Sequence, residues 1–200
     1  MKKMNLPNKL TMLRIILAVI ILIALMVPWD TIGVNIPRFS FVKEEVKLEF
    51  IICGVLFAIA SFTDCLDGKI ARKRNLVTDF GKVMDAIADK VLVNGLLILL
   101  AYHGFISIVV PVVVITRDIF VDSIKMASGN KGKVIAASLA GKAKTVCMMI
   151  GMALAMFYNF PFAYLNVPLD EIVIYIATIL SVVSGVQYYL VNKDYVFTEK

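Results

Sequence analysis

Charge is what this sequence has least of. Only 18% of its 200 residues are Asp, Glu, Lys or Arg, against about a quarter in soluble domains. Hydrophobic residues make up 60%, too many for an ordinary water-soluble domain. Histidine is nearly missing: His103 is the only one, and its place between apolar runs reads as a polar turn residue. The three cysteines, Cys53, Cys65 and Cys147, lie in or beside apolar stretches. Their irregular spacing makes neither a disulfide framework nor a C-x2-C metal pattern, so they read as packing residues. There is no internal repeat, no low-complexity linker and no nucleic-acid-binding motif. One domain spanning 1–200 is the simplest expectation, and no nucleic-acid partner is expected. The net charge of +6 reads instead as attraction to an anionic leaflet and to phosphorylated substrates.

The apolar mass is concentrated in runs free of charged residues: Ile15–Trp29, Phe50–Thr63, Val91–Thr116, Thr145–Leu169 and Ile172–Asn192. A spanning helix needs roughly 20 mostly apolar residues. Tyr102-His103-Gly104 divides the longest run in two. The spacing therefore predicts an all-α integral membrane protein with six transmembrane helices, near 8–28, 49–73, 80–102, 105–127, 136–158 and 170–191. The basic start followed by an apolar run resembles a signal peptide, but no small-residue cleavage site follows Val27-Pro28-Trp29, and the segment reads as the first helix. Every Lys and Arg except Arg38, Lys43 and Lys47 falls at the termini or around the 2–3 and 4–5 connections. The positive-inside rule then places both termini in the cytoplasm. The stretch of about 30–48, mixing charge with Phe39 and Phe41, is expected outside, lying on the headgroup layer.

Ionised carboxylates inside membrane helices are costly and functional by default. Asp64 and Asp67 close the second apolar segment, and Asp85 and Asp89 open the third. Their i,i+3 and i,i+4 spacings put each pair on one helix face. Antiparallel packing of the two helices would bring all four to one depth near the cytoplasmic surface. Such a cluster demands a counter-charge. An all-oxygen donor set suits Mg2+ or Mn2+ rather than zinc. Simple ion pairing with Lys69, Arg72, Lys82 and Lys90 is the competing reading. Two carboxylate pairs, together with Gly68 and Gly81 beside them, argue against it.

From Asp64 to Asp89 the residues read D-x2-D-G-x2-A-R-x8-G-x3-D-x3-D. This resembles the signature of the CDP-alcohol phosphotransferases, membrane enzymes of phospholipid synthesis in the bacterial cytoplasmic membrane. The fixed positions Asp64, Asp67, Gly68, Ala71, Arg72, Gly81, Asp85 and Asp89 all match. Ala86 stands where many members have Pro. Asn8, Thr11 and Arg14 resemble the N-x2-T-x2-R opening of the phosphatidylglycerophosphate-forming branch. Arg117-Asp118 and Gly141-Lys142-Ala143-Lys144-Thr145 resemble its later segments.

The resemblance implies transfer of a phosphatidyl group from CDP-diacylglycerol to sn-glycerol 3-phosphate with release of CMP, at a cytoplasm-facing site, by a homodimer in the bilayer. It also implies two ions of Mg2+ or Mn2+ held by Asp64, Asp67, Asp85 and Asp89, with Asp89 accepting the acceptor's hydroxyl proton. Gly68, Arg72, Thr78, Gly81 and Asn8 would contact the CDP portion. Arg117, Lys142 and Lys144 would clamp the acceptor's phosphate. Two rival readings remain at this point. One keeps the chemistry with inositol phosphate or phosphatidylglycerol as acceptor. The other is a cation-coupled transporter, which would be expected to show repeats and broken helices at mid-membrane.

Overall fold

The computed structural model describes residues 6–41, 44–73, 78–130 and 138–197. Six long helices dominate: α1 (Leu6–Met26), α3 (Leu48–Lys73), α4 (Asp79–Tyr102), α5 (Val109–Asn130), α6 (Leu139–Met156) and α7 (Leu169–Phe197). Between α1 and α3 lie the single-turn α2 (Trp29–Ile32) and strands β1 (Arg38–Phe41) and β2 (Glu44–Lys47). A 3-10 turn, Phe162–Leu165, sits in the α6–α7 connection.

The ends of these helices follow from local chemistry. Pro7 falls in the first turn of α1, where its missing N–H costs nothing. Pro28 follows the end of α1 and cannot continue it. Thr78 caps α4, its Oγ1 accepting from the Gly81 amide at 3.0 Å, and Ser138 caps α6 by accepting from Gly141 at 3.1 Å. His103 closes α4, with Nε2 2.9 Å from the Leu25 carbonyl oxygen. Gly104 then reverses the chain at φ +83°, a backbone that side chains with a Cβ rarely adopt. α5 starts at Val109 rather than near 105. The amide of Val109 donates to Ser107 Oγ at 3.3 Å, and the residues after Gly104 are spent on the turn.

One feature of the expected all-α architecture needs correction. The loop near 30–48 is folded, not merely spread on the headgroups. β1 and β2 pair antiparallel, with Arg38 opposite Lys47 and Phe39 opposite Val46. Arg38 ties the hairpin to α2 through Asp30 at 2.6 Å and across its own strands to Glu45 at 3.3 Å. The Lys47 amide donates to Tyr158 Oη at 3.0 Å, anchoring the hairpin to the end of α6.

The helices pack as two linked groups. α1 lies against both α3 and α4, α7 lies against α5 and α6, and α3 and α4 join the groups through α6 and α5. Among the described residues α3 and α4 share little direct packing, and α1 packs against both. The core runs through Ala18, Ile21 and Leu25 of α1, Phe50 and Phe57 of α3, Leu92 and Leu96 of α4, Met148 and Met152 of α6, and Ile174 of α7. The outer faces are just as apolar. Ile16 and Ile23 of α1 and Ile179 and Val186 of α7 are all more than half exposed. Helices hydrophobic all round belong in lipid, and this is a helical membrane protein. Asn8–Met26, Leu139–Met156 and Leu169–Lys193 are long and apolar enough to cross a bilayer unaided. α3, α4 and α5 are as long, but each carries several charged residues.

Candidate active site

The carboxylates are brought together by a residue from a third helix. Nη1 of Arg14 on α1 lies 2.5 Å from Asp64 Oδ1, 2.7 Å from Asp85 Oδ1 and 3.7 Å from Asp89 Oδ1. The Arg14 side chain is 1% exposed. Three of the four expected ligands therefore converge on one cationic nitrogen. Asp67, Gly68 and Arg72 lie on α3, but their side-chain surroundings fall outside the described residues, as do Lys131 and Lys133 altogether. Asp64 of α3 and Asp85 and Asp89 of α4 meet at Arg14 of α1, a partner not assigned to them from sequence.

Of the cations in the ion-pairing alternative, Lys90 alone has a described side chain, and those of Lys69, Arg72 and Lys82 lie outside the described residues. Lys90 pairs with Asp122 of α5, and Lys125 lies 3.9 Å from the same carboxylate. Lys90 is thus committed to α5, while the counter-charge beside Asp64, Asp85 and Asp89 comes from Arg14.

The carboxylates present suit a hard divalent cation. Their donors are all oxygen, they come from two helices, and their convergence on a guanidinium nitrogen marks a place built to hold positive charge. Among the described residues no group of three His, Cys, Asp or Glu closes on a single point at ligand distance, since Arg14 stands between them.

Three of the residues expected on the donor side form one spot beside this cluster. Thr78 Oγ1 donates to Asn8 Oδ1 at 3.2 Å while accepting from the Gly81 amide. A Cβ at position 81 would lie 2.7 Å from Asn8 Oδ1, so glycine is what lets α1 approach the first turn of α4. The N-terminus of α4, at the positive end of the helix dipole, is a natural place for phosphate.

A second polar cluster joins α5, α6 and α7. Arg117 donates through Nε to the Ser181 carbonyl at 2.9 Å, through Nη2 to Ser184 Oγ at 2.6 Å and through Nη1 to Asp118 Oδ1 at 2.9 Å. Lys144 reaches the same Asp118 oxygen at 2.7 Å. Gly185 makes room for the arginine: a Cβ there would stand 3.0 Å from Arg117 Cγ. Lys142 is exposed instead, because residues two apart on a helix point to different sides. The structure thus brings together Arg117 and Lys144 of the expected clamp and leaves Lys142 outside it. The Lys90–Asp122 pair connects the two clusters, since Asp122 lies one turn beyond Asp118 and Lys90 follows Asp89.

Arg14, Asp118, Ser181, Ser184 and Gly185 are site residues not singled out for these roles from sequence. The signal for Asp118 was available: a carboxylate in an apolar helix, in register with Asp122 at i,i+4. For Ser181, Ser184 and Gly185 there was only a small-residue stripe, which in membrane helices usually marks close packing.

The family model for CDP-alcohol phosphatidyltransferase matches residues 4–183. A Bacillus subtilis protein named CDP-diacylglycerol–glycerol-3-phosphate 3-phosphatidyltransferase is 36% identical over 188 residues, covering 94% of this chain and 95% of its own. A protein of the same name from Mycoplasma genitalium is 39% identical over 78% of this chain and 66% of its own. One from Rickettsia bellii is 31% identical over 96% and 97%. With a family match that runs from α1 into α7, and relatives more than 30% identical over nearly the whole chain, this chain belongs to the CDP-alcohol phosphatidyltransferase family.

Proposed function

We propose that the chain transfers the phosphatidyl group of CDP-diacylglycerol to sn-glycerol 3-phosphate, releasing CMP and forming phosphatidylglycerophosphate. The observation that carries this is the convergence of Asp64, Asp85 and Asp89 at Arg14, in a chain whose relatives bear that activity in their names. The bilayer arrangement that goes with it has all six long helices crossing, with both termini and the aspartates on the cytoplasmic side and the β1–β2 hairpin outside. A cysteine replacing Glu45, which is exposed on the hairpin, should react with an impermeant maleimide from outside intact cells. One replacing the exposed Lys142 should react only after the membrane is opened. The reverse pattern would invert the arrangement.

When bound, two ions of Mg2+ or Mn2+ neutralise the donor's diphosphate and the charge that builds on the departing CMP oxygen. Asp64, Asp67, Asp85 and Asp89 are the residues that would hold them. Asn8, Thr78, Gly81 and the α4 N-terminus orient the CDP portion, together with Gly68 and Arg72. The acceptor's hydroxyl oxygen forms the new bond to the phosphatidyl phosphorus, the bond from that phosphorus to CMP breaks, and Asp89 takes the hydroxyl proton. A carboxylate in this setting is a weak base, so positioning and electrostatics supply more of the rate than proton abstraction.

Arg117 and Lys144 hold the acceptor's phosphate. Three of the five guanidinium N–H groups are engaged by Ser181, Ser184 and Asp118, which fixes the plane and leaves donors for a phosphate. Removing a charge-assisted bond of this kind costs roughly 1.5–3 kcal/mol. Arg117→Ala should therefore raise KM for glycerol 3-phosphate by roughly 10- to 150-fold, with KM for CDP-diacylglycerol nearly constant. Arg117→Lys should recover only part, because a point charge lacks the planar fork. Lys142→Ala should do much less than either. An unchanged acceptor KM in Arg117→Ala would remove the clamp from this reading.

A further inference from the structure

Arg14 makes contacts that neither phosphate binding nor proton transfer requires. Its Nη1 is shared between Asp64 and Asp85 at hydrogen-bond distance, with Asp89 just beyond. These are oxygens that the proposed metal role of the aspartates would claim. Mg2+ binds carboxylate oxygen at about 2.0–2.1 Å, closer than any hydrogen-bonded nitrogen. A guanidinium held by the same carboxylates opposes an incoming cation, both by its charge and by the lone pairs it occupies.

The location of Arg14 makes this more than a surface ion pair. It follows Thr11 and precedes Ala18 on the buried stripe of α1, so its charge is screened little by solvent. A buried cation needs partners, and Asp64 and Asp85 supply them at hydrogen-bond distance.

We propose that Arg14 is an internal competitor for the carboxylate site. Its guanidinium keeps the aspartates charge-balanced, and its displacement sets the concentration at which a divalent cation fills them. Arg14 is on this account a positioning residue. It trades metal affinity for a carboxylate cluster that stays folded before the metal arrives. The proposal rests on the metal-binding reading of Asp64, Asp67, Asp85 and Asp89.

The test is direct Mn2+ binding to the purified full-length protein in detergent, read from the electron paramagnetic resonance signal of free Mn2+. Thermal unfolding in EDTA and in saturating Mn2+ accompanies it. Arg14→Gln should bind Mn2+ at least about 10-fold more tightly than wild type, since a charge-assisted contact no longer has to be broken. It should also melt lower than wild type in EDTA, and the gap should close in saturating Mn2+. Arg14→Lys should lie between the two, and it carries the affinity comparison should Arg14→Gln not fold. Equal or weaker Mn2+ binding by these variants would overturn the proposal, as would a melting deficit that Mn2+ leaves unchanged. Failure of the wild type itself to bind Mn2+ would overturn the metal assignment, and this inference with it.

Discussion

Chelation with EDTA is expected to abolish CMP release by the purified enzyme, and added Mg2+ or Mn2+ to restore it. The donor carries a diphosphate, and the leaving CMP oxygen gains charge as its bond to phosphorus breaks. Metal stabilisation of such charge is worth several kcal/mol, and each 1.36 kcal/mol is a factor of ten. A loss of roughly a thousand-fold or more follows. Arg14 cannot make up the difference, because it is engaged with Asp64 and Asp85. It does predict how the loss will look. The carboxylates keep a counter-charge, so the chelated enzyme should remain folded and regain activity at once when metal is returned. Full turnover in chelator would remove the metal role. An enzyme that unfolds in EDTA would show instead that Arg14 does not balance the site.

Asp89→Asn is expected to lower turnover by at least about 100-fold. Asparagine keeps the size of the side chain but removes the charge and the proton acceptor together. Among the three carboxylates at Arg14, Asp89 lies farthest from Nη1, at 3.7 Å against 2.5 and 2.7 Å. KM for CDP-diacylglycerol should change much less than kcat, since the proposed donor contacts are Asn8, Thr78 and the start of α4 rather than Asp89. An Asp89→Asn enzyme of near-normal turnover would take Asp89 out of the proton step.

Much of the fold could be read from the residues because a membrane makes hydropathy a strong signal. The uncharged runs located the starts of five of the six long helices to within a few residues. α5 began later than expected because the turn after Gly104 consumes residues that are as apolar as the helix they precede. The β1–β2 hairpin was missed although Arg38-Phe39-Ser40-Phe41 alternates with a period of two, because so short a run also suits a loop.

The candidate site was legible as a set of carboxylates and illegible as a geometry. Helical spacing pairs Asp64 with Asp67 and Asp85 with Asp89, but no spacing rule says that Arg14 of α1 reaches both helices. Arg14 was visible as part of an N-x2-T-x2-R opening, 50 residues before Asp64, and only tertiary packing gives it its partners. Lys142 and Lys144 show the same limit on a smaller scale. Their spacing says that they face different ways, and only the position of Asp118 on α5 decides which one turns inward.

The central claim is the reaction itself, and CMP release by the purified protein from CDP-diacylglycerol tests it most directly. With Mn2+ present, the assay should be run without acceptor and with sn-glycerol 3-phosphate, inositol phosphate, or phosphatidylglycerol. The account predicts rapid CMP release with glycerol 3-phosphate and formation of phosphatidylglycerophosphate, with little release in the other three. Preferential release with inositol phosphate or phosphatidylglycerol would keep the chemistry and contradict the acceptor. No release with any of them would contradict the account as a whole.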